Sequence, residues 1–300
     1  MRVERVGILG GSGQLGSALQ AAFRGCEVVA PAHAAAPIED AGALSALLDD
    51  GRPQVLINCT AFHHVDTCEQ QPERAFAINA LAVDRAAELC AARGIGFATI
   101  STDYVFDGKL GRAYREDDAT NPLTAYGASK AAGESLTRRH GDRHWIVRTS
   151  GVFGTIGSSS KGYTLIEKVL RQAEQGEATR MVADMVFSPS YAPHVARAIR
   201  DLVEGEAYGT HHVVNAGACS WYEFVRTAFG KAGLAGAPLE ATTYAALGNP
   251  TRRPMYSPLE SATLSRLGIA PLPPWNEALD EFLAARESRL AAHAAACTFS

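Results

Sequence analysis

No apolar run in this 300-residue chain is long enough to cross a bilayer, and Met1 to Arg5 lack the long apolar core of a secretion signal. The cytoplasm is therefore the expected compartment. Positive charge is not in excess either: 28 Lys and Arg against 32 Asp and Glu leave a formal net charge of −4. That balance provides no broad basic surface for nucleic acid or an anionic membrane, although a local basic pocket for a small anion stays open. The six cysteines (Cys26, Cys59, Cys68, Cys90, Cys219 and Cys297) contain no CxxC pair. Neither a zinc site nor a dense disulfide framework is indicated, and free, mostly buried thiols are expected. No internal repeat is visible, and an apolar fraction of 47% fits an ordinary globular protein rather than a disordered one.

What is present is an alternation of short apolar runs with longer segments of helical period, the pattern of a parallel sheet covered on both faces. Val6 to Leu9 reads as the first strand, followed by buried strands at Cys26 to Ala30, Val55 to Asn58, Gly96 to Ser101 and Trp145 to Thr149. Leu15, Ala18, Leu19, Ala22 and Phe23 mark the first crossover helix; Phe76, Ala80, Val83, Ala87 and Cys90 mark another. The fold class expected is α/β: a Rossmann-type doubly wound parallel sheet with a smaller, mostly helical substrate-binding lobe. Residues 1–150 with a returning segment at about 182–215 would form the dinucleotide-binding domain. Residues 151–181 and 216–286 would form the second lobe, and 287–300 a frayed or flexible tail. Strands are expected at Val182 to Phe187 and His211 to Asn215, and a Gly/Ser-rich loop at Gly154 to Gly162 is long enough to be functional.

Gly10, Gly13 and Gly16 lie between the first strand and first helix in the run GGSGQLG. A tight strand-to-helix turn needs residues without Cβ, and the helix N-terminus presents N–H groups to a pyrophosphate. The alternative is a glycine-rich turn with no ligand, but the position at the first βα junction favours a dinucleotide. Gln14 and Leu15, which open that helix, belong to the same expected site. The stretch Ala30-Pro31-Ala32-His33 after the second strand has no carboxylate for an adenosine ribose and no Arg for a 2′-phosphate. NADPH is therefore the expected cofactor, with NADH left open. No metal is expected.

Tyr126 and Lys130 stand four apart in YGASK and share one face if the segment is helical. Ketone reduction needs a proton for the developing alkoxide, and a nearby lysine cation would lower the tyrosine pKa toward neutrality. Tyr126 is accordingly read as the proton donor. Ser101-Thr102-Asp103-Tyr104 ends a predicted parallel strand, where open α/β sheets place their ligand crevice. Thr102 is read as the hydroxyl that holds the carbonyl oxygen. Asp103 and Tyr104 are candidate substrate contacts whose alternative is capping and packing of the loop.

GGSGQLG, the stretch Ile57 to Glu69 (INCTAFHHVDTCE), STDYVFDG, YGASK and VRTS (Val147 to Ser150) together resemble the successive motifs of the dTDP-4-dehydrorhamnose reductases. The likeness continues through Cys219 to Phe224 and Arg253 to Ser257. It implies an extended short-chain dehydrogenase fold with Thr102, Tyr126 and Lys130 at the catalytic positions. It also implies Ala61, Phe62 and Asn79 near the cofactor, and a nucleotide-sugar substrate, with a homodimer left open. Arg253 could pair with phosphate oxygens in a forked geometry, and an aromatic such as Trp221 or Tyr256 could stack on the base. Departures from the family pattern fall on the expected sugar pocket. Gly151 stands where family members usually carry Trp, His63-His64 where an aromatic and small residues are usual, and Asp184 to Ser190 (DMVFSPS) where DQxGSPT is common. Competing expectations are a nucleotide-sugar dehydratase or epimerase of the same fold, and a non-catalytic NADP-binding regulatory subunit.

Overall fold

The computed structural model describes residues 2–156 and 164–297; most of the Gly/Ser-rich loop at 154–162 lies outside them. The first half alternates as its apolar runs predict. In chain order it forms β1 (Arg5–Leu9), α1 (Gln14–Ala22), β2 (Glu27–Val29), α2 (Ala41–Gly51) and β3 (Val55–Asn58). Then come two short helices, α3 (Val65–Gln70) and α4 (Pro72–Phe76), a π-helical stretch Ala77–Ala82, α5 (Val83–Ala91), β4 (Gly96–Thr102), α6 (Ala125–Arg138) and β5 (His144–Thr149). β3 is buried at every position and β4 at all but one, which is why they read as continuous apolar runs rather than alternating ones.

After β5 come β6 (Val152–Phe153), α7 (Leu165–Glu174), β7 (Thr179–Val182), β8 (Val186–Phe187), β9 (Ser190–Tyr191), α8 (Ala192–Glu204) and β10 (Gly209–His212). The chain finishes with β11 (Cys219–Ser220), α9 (Trp221–Lys231), β12 (Leu239–Thr242), α10 (Ala262–Arg266) and α11 (Trp275–Cys297). β10 joins the main sheet, whose order is β10-β5-β4-β3-β1-β2 with every pairing parallel. The order reverses beside β1, with β2 on one side and β3 on the other, so a ligand crevice opens at the carboxyl ends of β1 and β3. On one face α8 packs against α1: Leu15, Leu19 and Phe23 share a core with Val195, Ile199, Leu202 and Val203. The second lobe has its own core, in which Ile166, Leu170, Phe224, Phe229, Leu279 and Phe282 converge.

One expectation is corrected here. Val182 to Phe187 is not one strand: β7 pairs with β12 and β8 with β11, and neither reaches the main sheet. Asp184 makes the break, its carboxylate accepting the Tyr244 backbone N–H at 2.8 Å. Beyond residue 286 the chain stays helical, α11 running on to Cys297. Its ion pairs supply the reason: Arg286 reaches Glu167 at 3.0 Å and Glu174 at 2.7 Å, and Arg289 reaches Glu167 at 2.7 Å.

Candidate active site

The glycine run forms a tight cradle at the end of β1. Gly10 has φ +75°, where a side chain would be strained, and its carbonyl accepts the Gly13 N–H at 3.0 Å. A Cβ on Gly16 would collide with that same carbonyl, so α1 can approach β1 this closely only with glycine there. The Ser17 hydroxyl and Gln20 amide tie the loop down through the Gly11 carbonyl, at 3.0 and 2.8 Å. Gly13 caps α1 without a side chain, leaving its first-turn N–H groups facing the crevice. The Gln14 side-chain oxygen is buried and lacks a hydrogen-bond partner in the free chain. The uncapped N–H groups at the start of α1 suit a bound pyrophosphate, whereas the Gln14 oxygen, an acceptor, would need a donor from elsewhere; Leu15 packs beneath in the core. Beyond β2, His33 is exposed and no acid stands in the 30–33 segment.

The next wall is the loop after β3. The Asn58 side chain accepts from the Thr60 N–H at 3.0 Å and the Thr60 hydroxyl at 2.6 Å, bending Cys59 to Phe62 along the crevice. Asn79 lies in the π-helical stretch and is 1% exposed. Its amide clamps both backbone groups of Phe62 at 2.9 Å and donates to Ser129 at 3.0 Å. Asn79 therefore shapes the loop that would line a cofactor instead of presenting its own side chain. Ala61 and Phe62 are partly exposed on that loop, followed by His63 and His64, which are exposed with ring centroids 5.2 Å apart.

Tyr126 and Lys130 share one face of α6, as their spacing predicts. Thr124 caps the helix, accepting the Gly127 N–H at 3.0 Å, and Glu69 accepts the Ala125 N–H at 2.6 Å. A Cβ on Gly127 would collide with the Tyr104 carbonyl, so the start of α6 is pressed onto the turn that follows β4. Thr102 ends β4, with its hydroxyl acting on the Tyr126 phenol and donating to Asp103 at 3.0 Å. Asp103 is 4% exposed and also accepts from Ser257 at 2.6 Å. Burial raises the Asp103 pKa above the usual carboxylate range, against the hydrogen bonds from Ser257 and Thr102. The Tyr104 ring meets Tyr126 edge-on at 5.8 Å.

The expected acidification of Tyr126 by Lys130 is not seen: Lys130 is not among the groups that act on the phenol. Burial raises the phenol pKa, and the Thr102 hydrogen bond is the main opposing influence. Lys130 is itself buried, which pulls its pKa down to about 8 against the nearby carboxylate of Glu134 and the thiol of Cys59. For Lys130 desolvation outweighs the favourable neighbouring charge, while at Tyr126 the buried Asp103 adds to the effect of burial. Glu134, one turn beyond Lys130, is a site residue that sequence reading missed. It accepts from Arg148 at 2.7 and 2.8 Å and from Ser101 at 2.6 Å, fastening α6 to β4 and β5. The i, i+4 spacing from Lys130 was the available signal; the VRTS arginine as its partner was not visible.

Across the crevice, the small lobe supplies Trp221, Tyr256 and Arg253. Trp221 begins α9 and is stacked on Phe187, centroids 3.9 Å apart, so one face of its indole is already covered. Gly151 is the partner of that arrangement: a Cβ there would collide with the Phe187 ring. Two departures from the family pattern are thus one change, with bulk lost at 151 and gained at 187. Tyr256 is half-buried and bridges to Val186. Arg253 donates to Asp66 at 2.9 Å and lies over Tyr244 at 5.8 Å. It also bears on the Tyr104 phenol, which burial pushes up to about 12. Among the described residues no three His, Cys, Asp or Glu side chains converge as a metal site, and no helix is long and apolar enough to cross a membrane.

Comparison with known proteins agrees with this architecture. The family described as "RmlD substrate binding domain" matches residues 4–288. The spore coat polysaccharide biosynthesis protein SpsK of Bacillus subtilis is 38% identical, covering 95% of this chain and 98% of its own. The dTDP-4-dehydrorhamnose reductase of Streptomyces griseus is 33% identical over 91% of both chains. A crystal structure of dTDP-4-dehydrorhamnose reductase from Bacillus anthracis in complex with NADP superposes with a TM-score of 0.89 at 31% identity, covering 94% of this chain and 99% of that one. With a family match over nearly its whole length, the glycine cradle and the Thr102, Tyr126 and Lys130 constellation in place, the chain belongs to the dTDP-4-dehydrorhamnose reductase family of oxidoreductases.

Proposed function

We propose that this chain uses NADPH to reduce the 4-keto group of a nucleotide-linked 6-deoxyhexose, with Tyr126 as the proton donor. The observation that carries the reading is the meeting of Thr102, Tyr126 and buried Lys130 at the carboxyl end of β4, across from Arg253. NADPH, when bound, supplies the hydride. The cradle of Gly10, Gly13 and Gly16 with the start of α1 holds its pyrophosphate, while Ala61 and Phe62 line its path. The absence of an acid after β2 favours the phosphorylated cofactor.

The carbonyl oxygen sits between Thr102 and Tyr126. Tyr126 gives its proton to the developing alkoxide, a step for which a phenol held neutral by burial is suitably protonated at pH 7. Lys130, cationic below about pH 8, stabilises the phenolate that remains. Asp103 governs the direction of the Thr102 proton. As a carboxylate it takes that proton in a hydrogen bond, whereas in its acid form it can donate to Thr102 and leave the threonine hydroxyl free to face the substrate. Arg253 recognises the diphosphate, and the Phe187–Trp221 stack forms the neighbouring wall.

The test is NADPH oxidation with a panel of nucleotide-linked 4-keto-6-deoxy sugars, with the products identified by mass and NMR. One member of the panel should be reduced to its alcohol with one NADPH consumed per product. Failure of every 4-keto sugar to consume NADPH would overturn the reading. Because Gly151, Phe187 and His63-His64 alter the pocket, the panel should vary both sugar and nucleotide.

A further inference from the structure

We propose that Asp66 is a placeholder for the substrate's diphosphate: its carboxylate holds the Arg253 guanidinium in the free enzyme and yields it when the sugar nucleotide arrives. The proposal rests on the reading that Arg253 recognises that nucleotide. Asp66 lies in the first turn of α3, on the sheet side of the crevice, while Arg253 belongs to the small lobe, 187 residues later in the chain. Their contact therefore spans the cleft itself.

Its geometry is incomplete in a telling way. Of the five N–H donors a guanidinium carries, one from Nη2 goes to Asp66 Oδ1 at 2.9 Å. The Nε group is buried and has no hydrogen-bond partner. An arginine held by one edge, with a desolvated donor unsatisfied, is suited to a second, larger anion that can engage it in a forked geometry. Asp66 is poorly placed to be the permanent occupant, since its side chain is 50% exposed. An ion pair with so much solvent contact contributes at most about 1 kcal/mol. A second donor, Asn249 Nδ2, reaches Asp66 Oδ2 at 3.2 Å, so both contacts come from the small lobe.

The surroundings favour the same exchange. Tyr244 supports the guanidinium from beneath at 5.8 Å, and Tyr104, which Arg253 also influences, touches Tyr126 edge-on at 5.8 Å. The arginine thus stands one aromatic ring away from the proton donor. A sugar whose reacting carbon faces Tyr126 would direct its anomeric phosphates toward Arg253. Partial burial works against the Asp66 charge, but the hydrogen bonds from Arg253 and Asn249 lower its pKa, so at neutral pH it opposes any incoming phosphate.

The sign of the effect makes the test sharp. Asp66→Asn keeps the shape and removes the charge, whereas a residue that merely oriented Arg253 would be missed on replacement. Binding of dTDP to the NADPH-loaded enzyme, measured by calorimetry at low salt, should tighten roughly tenfold in Asp66→Asn. NADPH affinity should not change. The gain should shrink at high salt and vanish in an Arg253→Ala background. Wild-type binding of dTDP that Asp66→Asn leaves equal or weakens would overturn the placeholder role alone. No binding by either protein of dTDP, or of UDP, GDP and CDP tested in the same way, would overturn it together with the nucleotide-sugar reading.

Discussion

At the sheet end of the cleft, Thr102, Tyr126 and Lys130 stand on a strand and a helix that Glu134, Arg148 and Ser101 lock together with buried hydrogen bonds of 2.6 to 2.8 Å. At the opposite end, Arg253 stands on an irregular connection after β12, held through a half-exposed carboxylate. The first arrangement is held by buried hydrogen bonds; the second hangs on one half-exposed ion pair. On the proposed reading, chemistry and recognition are built from different materials. The rigid end should tolerate almost no change, and the adaptable end should set which sugar nucleotide is used.

The largest expected effect tests the rigid end. Tyr126→Phe should lower kcat by about 10²- to 10⁴-fold while NADPH binding stays intact, because only the proton donor is lost. Near wild-type kcat at neutral pH would mean that another group protonates the alkoxide. Glu134→Ala leaves Arg148 buried without its carboxylate, and breaking such a pair typically costs about 3–5 kcal/mol. A denaturant melt should show that loss; a shift below 1 kcal/mol would mean that α6 is held by other means.

Arg253→Ala examines the adaptable end. It should raise KM for the sugar nucleotide roughly ten- to a hundredfold with little change in KM for NADPH, since a charge-assisted contact is removed on one side only. Equal effects on both ligands would make Arg253 a structural residue and erase the contrast between the ends. The smallest effect concerns the cofactor. NADPH should exceed NADH in kcat/KM by only about tenfold, because the segment after β2 lacks a repelling acid but offers no arginine either. A clear preference for NADH would contradict this.

How far these two ends could be read from sequence differs for the same reason. The glycine cradle and the Tyr126/Lys130 pair are local patterns, set by a βα junction and by one helical turn, so spacing alone exposes them. Asn79, by contrast, looks like a ligand contact in sequence but holds Phe62 in space. Contacts such as Arg253 with Asp66 join residues 187 apart, and no periodicity encodes them. The same holds for Gly151 and Phe187, where each substitution looks like an isolated loss until the ring is seen against the glycine. The strand expected at Val182 to Phe187 failed because apolar character marks burial but not which sheet provides it. The hold on the last helix was equally hidden, since Arg286 and Arg289 find Glu167 only once α7 and α11 pack together.

The most direct test of the account follows one isotope. Wild-type enzyme should be given NADPH carrying deuterium at the transferable C4 position, together with a nucleotide-linked 4-keto-6-deoxyhexose from the panel, and the sugar examined by NMR. The account predicts one deuterium on the newly formed C4 carbinol of the sugar, with an equivalent of NADP⁺ released. Deuterium retained in the cofactor while the sugar is isomerised or left unchanged would contradict it.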